Sequence, residues 1–189
     1  MRKFFLFVWE IVKVASISLA IILPVRYFLI QPFYVKGASM EPNFHDHEYL
    51  IIDEISYRFN APVRGQVIVF RYPKNPQEYF IKRVIGLPGE EVQVKDGKII
   101  IFNDANPNGL TLAESYLPAG LETMDVASAK LKLGASEYFV LGDNRNNSKD
   151  SRSFGAVDKS FITGKVLFRG WPLNEVTLFD NNYWPQYKN

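Results

Sequence analysis

Glu91-Val92-Gln93-Val94-Lys95-Asp96-Gly97-Lys98-Ile99-Ile100-Ile101-Phe102 reads as two short strands around a two-residue turn. Asp96-Gly97 supplies the positive φ angles such a hairpin requires, and β-branched residues fill much of its arms. The same texture extends in both directions. Before it lie residues 48–53 (EYLIID), 66–72 (QVIVFRY) and 79–85 (YFIKRVI); after it lie 137–141 (EYFVL) and 161–169. Pro62 with Gly65, Pro73 to Pro76, and Leu87-Pro88-Gly89 punctuate the runs. No long amphipathic helix pattern follows residue 35. The expected body is therefore mainly β, and barrel-like because many short strands must bury their edges. Residues 110–132 are ambiguous, a loop excursion with a helical turn around 126–132, inside a variable stretch of about 103–136. No repeat or low-complexity tract occurs.

Further outward the texture changes. Of the first 30 residues 22 are hydrophobic, and Arg2, Lys3, Lys13 and Arg26 against Glu10 give them a net charge of +3. The remaining 159 residues are about 42% hydrophobic with a net charge of −1. Residues 11–30 are long enough to cross a bilayer as a helix. Lys13 and Arg26 are expected to snorkel to the interfaces, with Phe4, Phe5, Phe7, Trp9, Tyr27 and Phe28 in the interfacial belts. Pro24 is tolerated near a membrane helix end. The basic N-terminal flank predicts a cytoplasmic N-terminus and an external body. Ser18-Leu19-Ala20 is a small-x-small triplet that a cleaved signal peptide could offer, and a buried soluble helix is a third reading. Ile21-Ile22-Leu23 follow the triplet at once, which favours an uncleaved single-pass anchor. The expected organisation is 1–31, cytoplasmic tip and anchor, then 32–189, a β-rich extracytoplasmic domain.

Composition narrows the chemistry. With no cysteine among 189 residues, disulfides, thiolate catalysis and Cys-based metal sites are excluded. A net charge of +2 is too small to suggest nucleic acid. Overall composition is close to globular, against disorder.

Three features could carry chemistry. In Gly37-Ala38-Ser39-Met40-Glu41-Pro42 a serine sits between small residues on a rigid turn, placed for exposure; an ordinary turn serine has the same look. Lys82, in a strand pattern, shares a face with Phe80 and Val84, while Ile81, Arg83 and Ile85 take the other. Burial would lower its pKa and free a neutral amine as a base; a snorkelling lysine at a strand end is the alternative. The run Gly142-Asp143-Asn144-Arg145-Asn146-Asn147-Ser148-Lys149-Asp150-Ser151-Arg152-Ser153-Phe154-Gly155 concentrates turn formers, hydroxyls and opposite charges. It reads as a self-satisfying loop that holds a neighbour in place or as a solvated surface loop. It lacks the spaced acids of an EF-hand. His45-Asp46-His47-Glu48 offers metal-ligand types without an evident further ligand, and a Ser39–His pair lacks an orienting acid.

Taken in order, the anchor, G-x-S-M-x-P, I-K-R-V-I-G-L-P-G-E and G-D-N-R-x-N-S-x-D-S-R-x-F-G resemble bacterial type I signal peptidase, over nearly the whole chain. Short length and a single anchor resemble the Gram-positive-type form. Lys82 separates the chain from the archaeal and endoplasmic-reticulum branch, which has histidine there. The resemblance implies a membrane-bound Ser/Lys endopeptidase that cleaves exported preproteins after small-x-small sites. It implies Ser39 as nucleophile, Lys82 as general base, and Ser148 as the serine orienting the amine. It also implies supporting ion pairs Asp150–Arg152 and Asp143–Arg83, with Met40 beside the dyad and near the substrate pocket. No cofactor or metal is implied; the partners are signal peptides and the lipid bilayer, not nucleic acid. Phe33, Val35 and Gly37 fall where an extended substrate could add as a strand. Asn43, Phe44, His47, Glu48 and Gln66 depart from the usual pattern, and Gly37 stands where the Gram-negative branch has an oxyanion-donating serine. A Ser–Lys relative with another substrate, or a non-catalytic barrel that binds exported chains, are the competing readings.

Overall fold

The computed structural model describes residues 2–28, 30–124, 130–180, 182–185 and 187, with 24–28 and 30 as backbone alone. A long helix, α1 (Arg2–Phe28), opens the chain. Arg2–Leu23 is fully exposed and reaches a mean hydropathy of 2.1, long and apolar enough to cross a membrane. The helix takes in residues 11–28 of the expected 11–30 span, and Ile30 already belongs to a strand. Lys13 lies inside the helix, where Glu10 one turn back pairs with it at 3.1 Å and reduces the cost of its charge. The roles expected for the side chains of Pro24, Arg26, Tyr27 and Phe28 fall outside the described residues.

The rest is mainly β, as expected, but arranged as two sheets whose ladders do not close among the described residues. The larger sheet comprises β1 (Ile30–Tyr34), β2 (Tyr49–Asp53), β3 (Val67–Tyr72), β4 (Asn75–Gly86), β9 (Glu137–Leu141), β10 (Val157–Asp158), β11 (Ile162–Trp171) and β12 (Thr177–Leu178). Its order is β1-β2-β11-β3-β4-β9-β10, with β12 also on β11. Its described pairs are antiparallel. The smaller sheet is β7-β6-β5-β8, built from β5 (Glu91–Lys95), β6 (Lys98–Asn103), β7 (Asn106–Thr111) and β8 (Leu131–Lys132). Pro32 and Pro107 lie in end strands of the two sheets, where a missing N–H disrupts least. Register shifts at Ile162/Gly164, Val166/Phe168 and Arg169/Trp171 let β11 pair in turn with β3 and β2.

The central hairpin has the expected turn: Asp96 and Gly97 have φ of 51° and 74°. The helical turn expected around 126–132 is not seen at its end, where Leu131–Lys132 extends to pair with β5; residues 125–129 lie outside the described set. Three apolar clusters fill the body. One joins Val35, Met40, Phe44 and Leu50 to β3 and the C-terminal Phe179 and Trp184. The second lies under the smaller sheet, and the third is built on Phe70, Val84, Tyr138 and Val140.

Candidate active site

Ser39 sits in the turn between β1 and β2, which Glu41 N–H to Ala38 C=O and Phe44 N–H to Met40 C=O close. Its backbone is pinned from across the molecule. Asn144 donates its N–H to the Ser39 carbonyl at 3.1 Å and its Nδ2 to the Ala38 carbonyl at 3.0 Å. Position 37 has φ +90°, which glycine adopts without strain, and the Gly37 N–H donates to Asp46 Oδ1 at 2.9 Å.

Lys82 projects from β4 with only 3% of its surface exposed. Nζ lies 2.6 Å from Ser39 Oγ and 2.8 Å from the Ile81 carbonyl, and 5.4 Å from the centre of the Phe80 ring. Burial pulls its pKa down from 10.5 to about 8; Asp150 and Asp143 pull the other way. In water a lysine amine is almost wholly protonated at neutral pH; here desolvation brings the neutral amine within reach of physiological pH.

Arg83, expected on the opposite face from Lys82, is equally buried, so that face of β4 is not turned to solvent. Its guanidinium grips Asp143 through Nε–Oδ1 at 2.8 Å and Nη2–Oδ2 at 2.5 Å, and donates Nη1 to the Gly65 carbonyl at 2.8 Å. Asn43 donates Nδ2 to the same Asp143 carboxylate at 2.8 Å and to the Tyr116 carbonyl at 2.9 Å. The departure at position 43 is thus absorbed by an amide that ties the serine turn to the loop.

Asp150 receives both Nε and Nη2 of Arg152 at 2.8 Å and the Gly142 N–H at 3.0 Å, and caps α3 (Ser151–Phe154). Burial would raise its pKa, but these donors hold the carboxyl below its ordinary value. Ser148 Oγ is buried without a well-formed hydrogen bond, although its hydroxyl is close enough to help hold the Asp150 carboxyl down. Lys82 Nζ bonds Ser39 and Ile81 here, not Ser148. Gly142 makes the packing possible: a Cβ there would overlap Ser148 Oγ and the Ser39 carbonyl. Gly142→Ala is expected to cost about 1–3 kcal/mol by overpacking. It should also lower kcat/KM at least tenfold; denaturant titration and a peptide-cleavage assay check both.

Sequence alone assigns several contributors no role of their own. Arg145, fully buried, donates to Glu114, to Thr123 Oγ1 at 2.5 Å and to the Gly142 carbonyl at 3.0 Å. The ambiguous excursion therefore supplies the counter-charge to this loop. Tyr116, from the same excursion, lays its ring 4.0 Å from the Arg83 guanidinium. Arg64 holds Glu90 through two contacts of 2.9 and 2.6 Å and bonds the Ile85 carbonyl, fixing the turn after β4.

Beside the pair lies a cleft of ≈ 520 Å³, lined among others by Phe33, Val35, Ser39, Tyr79, Phe80 and Lys82. Met40 is buried in the core with Phe44 and Leu50, and neither Met40 nor Gly37 lines the cleft. Gln66 accepts from Tyr57 Oη at 2.8 Å and from the Val63 N–H at 3.1 Å. His47 is exposed beside Asp46, and Glu48 is buried. His45, Glu48 and Glu175 bring ligand atoms within 4.8 Å of one another. Arg169 already pairs with Glu48 and Glu175 at 3.1 Å each, so the two acids have their cation.

Comparison with known proteins gives one consistent result. The family model described as signal peptidase, peptidase S26 matches residues 8–171. The chain is 40% identical over 174 residues to a signal peptidase I of Leptolyngbya laminosa, covering 88% of this chain and 81% of the relative. It is 35% identical over 180 residues to signal peptidase IB of Staphylococcus aureus, covering 90% and 92%. A crystal structure of a signal peptidase I from Enterococcus faecalis V583 is 35% identical, with a TM-score of 0.46 over 56% of this chain and 97% of that one.

Proposed function

The chain belongs to the signal peptidase family, peptidase S26, and from that premise we propose that it is a membrane-held serine endopeptidase with Ser39 as nucleophile and Lys82 as general base. Its substrates are exported preproteins that carry signal peptides. The observation that carries the reading is the 2.6 Å approach of Lys82 Nζ to Ser39 Oγ in a buried site. A serine hydroxyl is a weak nucleophile until a base takes its proton. The neutral Lys82 amine accepts that proton as Oγ bonds to the scissile carbonyl carbon. The resulting ammonium protonates the leaving amine, which is the new N-terminus of the mature protein. Lys82 then takes a proton from water, whose oxygen attacks the ester carbon; the carbon–Oγ bond breaks, the ammonium returns its proton to Ser39 Oγ, and the signal peptide leaves with a free carboxyl terminus.

The tetrahedral oxyanion needs N–H donors. Asp46 engages the Gly37 N–H, so the reading assigns the oxyanion to the Ser39 N–H. The cleft along β1 supports strand addition of the substrate, with Phe33 and Val35 at its wall. Shallow apolar pockets of this kind favour small side chains at the cleavage site.

Helix α1 serves as tip and anchor, and the chain from β1 onward serves as the catalytic domain, so the boundary lies slightly before residue 32. Exposed α1 needs lipid to cover it, and Arg2 and Lys3 favour a cytoplasmic N-terminus with the catalytic domain outside. A cross-strand row of half-exposed aromatics, Tyr34, Tyr49 and Trp171, runs over β1, β2 and β11, with Leu173 and Leu178 exposed beyond it. Such a row suits the headgroup region, where a ring is wet at one end and apolar at the other. The test is cleavage of a preprotein in detergent, with N-terminal sequencing of the product. The new N-terminus should follow a small-x-small triplet, and bulky residues at the first and third positions of that triplet should abolish cleavage. Binding without cleavage would return the non-catalytic reading.

A further inference from the structure

The family match ends at residue 171, yet the chain beyond it returns to the buried centre of the molecule. After β12, Phe179 and Trp184 stack with ring centres 5.5 Å apart, and Tyr183 meets both edge-on. Trp184 is 2% exposed and belongs to the same cluster as Val35, Met40 and Phe44, which underlies the Ser39 turn. Its ring also stands 5.8 Å from the Arg83 guanidinium, while Tyr116 lies 4.0 Å from it. Pro185 and Tyr187 cover Gly65, whose carbonyl accepts Arg83 Nη1 at 2.8 Å; a Cβ on Gly65 would come within 3.1 Å of the Tyr187 ring. Tyr187 Oη donates to the Ala113 carbonyl at 3.0 Å, which ties this segment to the stretch that bears Glu114 and Tyr116.

We propose that Tyr183, Trp184, Pro185 and Tyr187 form a positioning strap for the catalytic pair, with Trp184 as its anchor, an inference that rests on Ser39 and Lys82 being that pair. From the Arg83 guanidinium beside Trp184, one route to the reacting atoms runs along the chain and a second runs through hydrogen bonds. Arg83 is the chain neighbour of Lys82, so fixing its guanidinium fixes the register of β4 at the base. Arg83 also holds Asp143, and the next residue, Asn144, holds the carbonyls of Ala38 and Ser39. A cation near two aromatic rings is attracted to both, and the rings help keep water from its ion pair. Without the strap, the Arg83–Asp143 pair opens to water on one side and the distance from base to nucleophile loosens. Substrate binding is untouched, since none of Tyr183, Trp184, Pro185 and Tyr187 lines the cleft.

The experiment compares Trp184→Ala, Trp184→Phe and Tyr187→Ala in the full-length protein in detergent, with Ser39→Ala alongside. Trp184→Ala is expected to lower kcat about tenfold with KM within twofold, the signature of a displaced catalytic group. Its acid limb should move to higher pH, because water admitted near Lys82, which faces Asp143 and Asp150, favours the ammonium. Trp184→Phe should recover at least half of the lost kcat. If Trp184→Ala shows no cooperative thermal transition, Tyr187→Ala carries the test, with about a threefold loss of kcat and the same direction of the acid limb. A kcat within twofold of the parent and an unmoved acid limb overturn the inference, whatever the melting temperature does. A change confined to KM overturns it as well. Should Ser39→Ala remain active, the assignment of the pair fails first; an inactive Ser39→Ala beside a fully active Trp184→Ala fails the strap alone.

Discussion

Ser39→Ala and Lys82→Met each lower kcat/KM for preprotein cleavage by at least about 10³-fold, and the double variant loses little more than either single one. The near-equality follows from the shared proton. With Oγ gone there is no atom for Lys82 to activate; with the amine gone the Ser39 hydroxyl keeps its proton and attacks slowly. Apart from the Lys82 hydrogen bonds to Ser39 Oγ and the Ile81 carbonyl, neither substitution removes a structural tie of the site. The Ala38 and Ser39 carbonyls stay bonded to Asn144 through backbone and amide contacts, and Asp143 stays held by Arg83 and Asn43. Loss of activity should therefore come with a retained thermal transition. A serine-reactive acylating probe should label the parent, fail on Ser39→Ala and label Lys82→Met far more slowly. Retention of a tenth of the parent activity by either variant would remove the pair from the mechanism.

What the pattern of residues made legible is mostly local. The hairpin at Asp96-Gly97 needed only two residues with positive φ between strand-forming runs, and it lies where those residues place it. β9 likewise keeps the span 137–141 expected for it, because turn formers bound it on both sides. The residues Asn106–Thr111 were different: they fall in the variable stretch, and only pairing with β6 at the sheet edge makes them a strand. A smaller sheet that is completed by Leu131–Lys132, far along the chain, has no local signature either.

The candidate site divides in the same way. Lys82 among Phe80 and Val84 is a local anomaly, a charge within an apolar face, and alternation along one strand exposes it. Arg83 illustrates where that logic stops. Period-two alternation assigns it to the other face, but what covers that face is Tyr116 and Trp184, each remote in sequence from β4. The partner of Arg145 was hidden for the same reason: Glu114 belongs to a stretch with no periodicity to read. Buried ion pairs such as Arg64–Glu90 and Arg83–Asp143 are tertiary facts, set by strand order and not by spacing.

The pH dependence of the reaction and of the fold should report one group with opposite consequences. Lys82 has its pKa lowered by burial from 10.5 to about 8, so the neutral amine proposed to accept the Ser39 proton is scarce below that value. kcat/KM should therefore rise about tenfold per pH unit up to pH ~8 and level off above it, leaving roughly 1% of the plateau at pH 6. A profile flat from pH 6 to 10 would rule out this base. Stability follows from the same shift. Between pH 8 and 10.5 the unfolded chain carries the lysine proton and the folded chain does not. Where the unfolded state binds more protons, stability rises with pH. Below pH 8 both states are protonated, and the fold bears the full cost of a buried ammonium, on the order of 3 kcal/mol for a shift of this size. Replacing the amine by a thioether of similar length removes that cost. Lys82→Met should accordingly be more stable than the parent at pH 7, by up to about 3 kcal/mol less the contribution of the lost Ile81 and Ser39 hydrogen bonds. Above pH 10.5 the advantage should vanish, since the parent lysine is then neutral in both states. Urea titrations of the two proteins at pH 7 and at pH 10.5 measure the difference. An equal stability gap at both pH values would mean that the amine is not desolvated, and the general base would have to be sought elsewhere.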